Sequence, residues 1–521
     1  LSAKGGFEPE FRTARSGDLA GLFDALPGGG LACPAGLRIT GITTSTDAIS
    51  AGNLFVAIRG TRYDGHEFLR EAVAGGAVAL LVEEEPLENL GVPVFRVPDT
   101  RLAITGLAAA WYGFPARALR LVGITGTLGK TSVLKLLEGM LKADDQSIGT
   151  IGTLGVSAGE KEEATGYTAP DPMLLHGALA TIVESGCAIA AMEVTSHALD
   201  QDRVAGLRFE LGVFTNLVPL EHSDYHGSFR SYVQAKRRFL DHLVSDAPLV
   251  FGYDDRIVRN LVRAHTGPLI GCGQGPHALV GMERIRVDSE GSRFDVVIRS
   301  ELPILGGNSL PPMRLPLWTR LLGRTSLSNA TLAAAAALSL GARPEAIQKA
   351  LADAQPLRRR MELIDFGSFW VLDDGASHPD SVSALFEVLE EFPADRVQAV
   401  FAIRGQRGAR INRRNAEALA IWAHRRPLDR LILTRSEDAV NDLDRVEAEE
   451  RDAFGSSLRR AGIVFEEAAT LDSALAAVLE QVQAGDLVLL LGTQGMDEGA
   501  ERLRRLLRRG ETKVRSEVPP G

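Results

Sequence analysis

Three consecutive α/β segments, a small one, a central one on a mostly parallel sheet and a doubly wound one, are the architecture this sequence predicts. Apolar runs of buried-strand length alternate with stretches of helical spacing from about residue 53 to residue 491, as in parallel sheets covered by helices. The run Leu121-Val122-Gly123-Ile124-Thr125 leads straight into a Gly-rich turn that ends in Gly129-Lys130-Thr131-Ser132. A length of 521 residues also allows several domains of roughly 100–200 residues each.

The first segment covers residues 1–115. Asn53–Ile58 and Ala77–Val82 predict short buried strands, with helical spacing from Phe68 to Ala74 between them. Gly113-Phe114-Pro115 interrupts the pattern and predicts a linker. The second segment, 116–353, has strand-like runs at Ala188–Met192 and Leu211–Thr215. Ser328 is expected to cap a helix through Ala330–Leu340 that Gly341 closes. The third segment, 354–521, begins near Pro356. Phe369–Leu372, Val397–Phe401, Leu431–Leu433 and Leu487–Leu491 predict a second, doubly wound sheet. From Arg502 the chain is rich in arginine and ends in Pro-Pro-Gly, which predicts a solvated helix end and a loose terminus.

Bulk composition excludes several functions. A formal net charge of −10 argues against a nucleic-acid binder held by a basic face. Cys33, Cys187 and Cys272 are scattered, which fits a reducing cytosol and neither a disulfide scaffold nor a cysteine zinc site. No apolar run is long enough to span a membrane. The opening Leu-Ser-Ala-Lys-Gly-Gly lacks the apolar core of a signal peptide and an initiator methionine, so a trimmed end is expected. The expectation is a cytoplasmic monomer with no nucleic-acid or membrane partner.

The Gly-rich turn carries the chemistry. Backbone N–H groups of such a turn, at the positive end of a helix, cradle phosphate oxygens. Lys130 would reach the terminal phosphates of ATP, and the Thr131 hydroxyl would sit on Mg²⁺. Gly126, Thr127, Gly129 and Ser132 complete the loop. The spacing Gly126-x-x-Gly129-Lys130-Thr131 is unusual, because Ile124 stands where the common phosphate-loop pattern puts its first glycine. Glu193 ends a strand on the same sheet, where a carboxylate suits Mg²⁺. Thr195-Ser196-His197, Phe214–Leu217, Glu221–Gly227 and Tyr232–Lys236 follow in order. Any one of these acids or histidines alone is more often a surface or core group; the ordered set is specific.

With these motifs the sequence resembles the Mur ligase family, and within it the ligases that add the third residue of the peptidoglycan stem to a UDP-N-acetylmuramoyl-dipeptide. The likeness runs from about Gly41 to about Leu491. It is strongest over Glu193–Val204 and Val213–Leu217, with Gly52–Ala57 and Asp64–Phe68 in the first segment. The resemblance implies a small α/β N-terminal domain, a central phosphate-loop ATPase-like parallel sheet and a C-terminal doubly wound, Rossmann-like domain. It also implies one reaction, in which ATP phosphorylates a carboxylate and an amino-acid amine attacks the acyl phosphate, releasing ADP and phosphate. Lys130, Glu193, His222 and Lys236 then form the catalytic set. Glu193 and His222 match metal ligands, and Lys236 matches a lysine whose carbamate supports a second Mg²⁺. Gln201 and Arg203 match substrate contacts, with Ser45, Thr168 and Thr195 on the same side. Asn329, Asp374 and Arg407 match the nucleotide side.

The departures from the family cluster in the substrate halves. Ser45-Thr46-Asp47 stands where the family has Asp-Ser-Arg, exchanging a cation for an acid. Leu128 replaces an Asn, and Ala169 replaces the middle Thr of Thr-Thr-Pro. One extra residue precedes Glu221-His222. Asp374-Gly375-Ala376-Ser377-His378 lacks the Tyr of Asp-Tyr-Ala-His. Thr434–Asp438 replaces the acceptor motif Asp-Asn-Pro-Arg, and Gly492–Asp497 replaces Gly-Lys-Gly-His-Glu. Three functions stay open: a stem-peptide ligase, a related ligase of specialised metabolism or amino-acid polymer synthesis, and a non-catalytic nucleotide-binding paralogue.

Overall fold

The computed structural model describes residues 17–516 apart from 27–30, 61–62, 165, 167, 220–222, 289, 377, 393 and 395. The chain forms two compact units, residues 1–282, 296–315 and 329–350 in the first, and 283–295, 316–328 and 351–521 in the second.

Two sheets of the first unit position the site. In the smaller one, Gly41–Thr43, Asn53–Val56, Ala77–Val82 and Val94–Arg96 lie in chain order and all parallel. Successive side chains of a strand point to opposite faces. Leu54 and Val56 therefore join one core with Ile104 and Leu107 of the helix Thr100–Trp111. Phe55 joins the other with Leu69 and Ala72 of the helix Leu69–Ala74. Burial on both faces explains the unbroken apolar runs.

The larger sheet sets up the site. Ile148–Gly152, Ile189–Glu193, Arg120–Thr125, Leu211–Phe214, Leu249–Gly252 and Leu269–Gly273 lie side by side in that order, all parallel. Glu193 pairs in register with Ile124, and Phe214 with Thr125. Three strands thus end together, and the residues after them share one edge of the sheet. Gly123 lies under Phe209 and Phe239, where a Cβ would come within 2.9 Å and 2.7 Å of their rings. The helix that was expected to open at Ser328 instead runs Arg324–Ser339. Gly323 at φ +82° turns the chain before it, so Ser328 lies inside the helix and does not cap it. Gly341 closes it as expected, at φ +88° with its N–H on Leu338 O at 2.9 Å.

The second unit carries a six-stranded sheet in the order Glu362–Asp365, Trp370–Asp374, Leu487–Leu491, Val397–Ala402, Arg430–Thr434, Glu466–Ala468. The first pair is antiparallel and the others are parallel. Leu372, Ala399 and Leu489 pack on one face with Phe386, Leu419 and Phe454. Val371, Val400 and Leu490 pack on the other with Leu475 and Leu503. The arginine-rich tail differs from the expected solvated end. The helix Gly499–Ser516 buries Leu503 fully, and Arg502 pairs with Asp438 at 2.6 Å, Asp472 at 3.1 Å and Glu498 at 2.9 Å. Leucines at helical spacing give this helix an apolar face that its charge count hides.

His176, on the helix Pro172–Glu184, is 2% exposed, and neither ring nitrogen finds a partner among the described residues. Burial pushes its imidazole down from 6.5 to about 4. Between those values the unfolded chain binds the extra proton, so stability rises with pH and is lost as pH falls from 6.5 toward 4. The span corresponds to roughly 3 kcal/mol. The thermal midpoint of the parent is expected to fall more steeply than that of His176→Leu across this window; parallel profiles would contradict it.

Candidate active site

The phosphate loop leaves the strand Arg120–Thr125 and ends at the helix Lys130–Ala143, which has Gly129 as its N-cap and no side-chain cap. Gly126 adopts φ +137° and Gly129 φ +86°. Close neighbours hold both. A Cβ on Gly126 would collide with Thr215 Oγ1, and one on Gly129 with Asn329 Oδ1. Thr215 and Asn216, just past the adjacent strand, clamp the tip. The Thr215 hydroxyl donates to Leu128 O at 2.6 Å, and Asn216 Oδ1 accepts the Leu128 N–H at 2.9 Å. Asn216 O accepts the Thr127 N–H at 2.8 Å. The Thr127 hydroxyl lies 2.9 Å from the Tyr232 hydroxyl and accepts the Val218 N–H at 3.0 Å. Lys130 folds over this loop, with Nζ on Gly126 O at 3.0 Å and Thr127 O at 2.9 Å. Ser132 sits on the first helical turn.

Glu193, 1% exposed, lies beside the loop as its strand register requires. Its Oε1 accepts from the Thr131 hydroxyl at 3.0 Å and the Thr153 N–H at 2.8 Å, and its Oε2 from the Thr153 hydroxyl at 3.3 Å. Thr153 Oγ1 also lies 3.1 Å from Thr168 Oγ1, where its lone pair accepts the Thr168 hydroxyl. Lys236 is 1% exposed beneath the loop, donating to Thr125 Oγ1 at 3.0 Å, Gly126 O at 2.9 Å and Val194 O at 3.4 Å. Burial, followed by the nearby Lys130 charge, holds its pKa well below the usual lysine value.

A cleft of about 1280 Å³ opens in the same unit. Ser45, Asp47, Arg101, Gln201 and Arg203 are among its lining residues. Thr195 caps the helix Ser196–Asp200 by accepting the Ala198 N–H at 3.1 Å. Gln201 Oε1 accepts Arg203 Nη2 at 2.7 Å, while Arg203 Nη1 donates to Ala169 O at 2.8 Å. Gln201 Nε2 donates to the Tyr225 hydroxyl at 3.1 Å, which donates to Asp200 at 2.8 Å. A polar path therefore runs from Thr131 through Glu193, Thr153 and Thr168 to the residues that hold Arg203.

The structure brings together Gly126, Thr127, Gly129, Lys130, Thr131, Ser132, Glu193, Lys236 and Asn329, and links Thr168 to them. His222 lies outside the described residues. In the second unit, Asp374 is buried, accepts the Met361 N–H at 2.8 Å, and is pushed up by burial to about 6. Arg407 stands exposed on the loop after the strand Val397–Ala402. Thr153, Thr215, Asn216, Tyr225 and Tyr232 carry weight that the motif reading did not give them. Thr215 and Asn216 stand at the end of the strand-like run Leu211–Thr215, whose pairing beside the loop strand is seen only in the fold.

Two positive-φ glycines with a capless helix start suit a nucleotide phosphate. A hydroxyl beside a buried carboxylate is the oxygen set Mg²⁺ prefers, and Mg²⁺ needs few protein ligands when substrate phosphates supply the rest. Among the described residues no group of three or more His, Cys, Asp or Glu could hold a metal, so the residues fit a metal shared with phosphate and not an all-protein cage.

Comparison with known proteins places the chain in a family. Residues 38–112 match the Mur ligase family catalytic domain, 124–337 the Mur ligase middle domain, and 359–494 the Mur ligase glutamate ligase domain. The UDP-N-acetylmuramoyl-L-alanyl-D-glutamate–2,6-diaminopimelate ligase of Chlorobaculum tepidum is 34% identical over 479 residues, 87% of either chain. The ligase of that name from Geobacillus kaustophilus is 31% identical over 465 residues, 87% of this chain and 89% of its own. Among solved structures, MurF ligase from Thermotoga maritima in complex with ADP shares the fold at a TM-score of 0.64 and 18% identity, over 90% of this chain and 98% of that one. Mycobacterium tuberculosis folylpolyglutamate synthase complexed with ADP does so at 0.59 and 16%, over 77% and 93%. The chain belongs to the Mur ligase family and is an ATP-dependent, ADP-forming amide ligase.

Proposed function

We propose that this ligase activates a carboxylate held in the cleft lined by Gln201 and Arg203. A substrate carboxylate oxygen attacks the γ-phosphorus of ATP, and the bond from that phosphorus to ADP breaks. The amine of an amino acid then attacks the acyl carbon, loses a proton, and expels phosphate with the carbon–oxygen bond. The polar path from Thr131 to Arg203 carries this reading, because it ties a phosphate loop to a carboxylate-binding guanidinium within one unit. Two anions must meet in the first step, so cations must screen them. Lys130 supplies one by leaving the loop carbonyls for the terminal phosphates. Mg²⁺, held by Thr131 and Glu193 with His222 as the family pattern implies, supplies further screening when bound. Asn329 serves the nucleotide, and Ser45, Thr168 and Thr195 the carboxylate substrate. The proposed domains are 1–115, 116–353 and 354–521.

The preferred substrate is a UDP-N-acetylmuramoyl-dipeptide or a related carboxylate, by likeness to relatives whose names specify that chemistry. Asp47 favours a second reading, a related ligase of specialised metabolism or amino-acid polymer synthesis. A carboxylate about 5–8 Å from a diphosphate costs on the order of 2–3 kcal/mol at an effective dielectric near 20, less where solvent screens it. A non-catalytic paralogue would have no physical need to keep Lys130, Glu193 and Lys236 together. Phosphate release from ATP, measured across a panel of nucleotide-peptides and amino acids, tests the reading; no release with any pair would overturn it.

Lys130→Ala is expected to lower ATP turnover by at least about a hundredfold, the usual scale for a lost charge-stabilising group. Its stability should stay within about 1 kcal/mol of the parent, as for a group outside the core. Parent-level turnover would remove Lys130 from the site.

Lys236 is proposed to carry a carbamate. CO₂ adds to a neutral amine, and burial favours that form here. Short-chain carboxylic acids should then restore part of the activity lost in Lys236→Ala, whereas full activity in the variant alone would contradict the role.

Asp47→Arg is expected to tighten binding of a UDP-N-acetylmuramoyl peptide by about tenfold to a hundredfold, at roughly 1.4 kcal/mol per decade. Equal micromolar binding by parent and variant, read by calorimetry, would show that residue 47 does not act on the diphosphate and would favour the stem-peptide reading.

A further inference from the structure

Gln201 stands between two side chains of opposite hydrogen-bonding character. A side-chain amide can face either way, and its neighbours decide whether oxygen or nitrogen meets Arg203. On one side is Tyr225, on the short helix Ser223–His226. Its ring packs against those of His197 and His226, at centroid distances of 4.1 Å and 4.7 Å. Its hydroxyl donates to Asp200 Oδ2 at 2.8 Å. An ionised carboxylate only accepts, so the one phenolic proton is committed there and a lone pair is left for the next group. Gln201 Nε2 donates to that lone pair at 3.1 Å. The amide oxygen is thereby turned to Arg203, a group that only donates, and accepts Nε at 3.1 Å and Nη2 at 2.7 Å. Burial, opposed by the Gln201 bond and helped by Asp200, pushes the phenol above its ordinary value of 10, so the hydroxyl keeps the proton it gives to Asp200.

The backbone beneath is fixed separately. Asp202 adopts φ +54°, and its carbonyl lies 3.2 Å from the hydroxyl of buried Thr105 on the helix Thr100–Trp111. The Arg203 N–H donates to Ala198 O at 2.9 Å. These contacts do not set the plane of the guanidinium, and its two N–H groups on Gln201 do. All of these residues lie in the first unit, and Gln201 and Arg203 line its cleft.

We propose that Tyr225 is a positioning residue, which orients the Gln201 amide so that its oxygen meets Arg203 and thereby sets the guanidinium to receive the substrate's carboxylate. This rests on the reading of Arg203 as the carboxylate contact. Without the phenolic hydroxyl the amide can turn over and set its hydrogens against those of the guanidinium, and binding then has to reorder both side chains.

Side-chain NMR on the full chain tests the orientation with no ligand present. The Arg203 Nε–H signal, identified by its loss in Arg203→Ala, should exchange with water at least about tenfold faster in Tyr225→Phe than in the parent, the scale of one lost hydrogen bond. Gln201→Glu offers oxygen whichever way the side chain turns, so adding it to Tyr225→Phe should return the exchange to within about threefold of the parent. Parent-like exchange in Tyr225→Phe, or acceleration that Gln201→Glu does not reverse, overturns the proposal. Steady-state kinetics with ATP, UDP-N-acetylmuramoyl-L-alanyl-D-glutamate and 2,6-diaminopimelate test the consequence. Tyr225→Phe should raise KM for the nucleotide-peptide by about tenfold, because a loosened side chain must be ordered on binding. Both kcat and KM for ATP should stay within about threefold of the parent. Comparable losses in all three would mark a general defect and overturn the role. The double variant Tyr225→Phe with Arg203→Ala should be no worse than Arg203→Ala alone, and losses that multiply overturn action through Arg203. Parent-like KM in Arg203→Ala overturns the carboxylate contact itself. A raised KM in Arg203→Ala beside a parent-like KM in Tyr225→Phe leaves that contact standing and overturns the role of Tyr225.

Discussion

Between Gly126 and Gly129 the backbone passes so close to Thr215, Asn216 and Asn329 that no side chain fits at either glycine. The rest of the site depends on this approach. The clamp works only because the strand Leu211–Phe214 pairs directly with Arg120–Thr125, which brings Thr215 level with Gly126. The same register places Glu193 on the other side of the loop. A slip of one residue in either pairing would reverse which side chains face the edge, and would part the loop from its clamp and its carboxylate at once.

Charge is buried at this edge with its partners supplied. An ion taken out of water costs several kcal/mol unless hydrogen bonds replace its hydration. Glu193 receives three such bonds from Thr131 and Thr153, and Lys236 gives its own to a hydroxyl and two carbonyls. The second unit solves a similar problem with Glu450, whose four backbone donors turn a buried acid into a brace for a loop. In both places a carboxylate organises backbone before any substrate arrives.

Much of the fold was legible in the sequence because its strands are buried on both faces. Leu487–Leu491 and Ala77–Val82 appear within the bounds their apolar runs suggested. The phosphate loop was legible because its chemistry needs a fixed order of residue types over a few positions. Other features were not. Arg324-Thr325-Ser326 gives no apolar signal, so the start of its helix was hidden until Gly323 was seen to turn the chain. Arg502 read as solvated because its acid partners, Asp438 and Asp472, are remote in sequence. Thr153 belongs to no motif, and only the fold shows that it bridges Glu193 and Thr168. Glu450 likewise belongs to no motif, and three of its backbone donors come from residues more than forty positions earlier.

On the proposed function, phosphate loop and cleft act as one site that makes an acyl phosphate. Isotope transfer tests it most directly. A carboxylate substrate labelled with ¹⁸O is turned over with ATP and the acceptor amine, and the released phosphate is analysed by mass. One labelled oxygen per phosphate is expected, because the carboxylate oxygen that attacks phosphorus leaves with it. Phosphate free of label, formed together with the amide, would contradict the account.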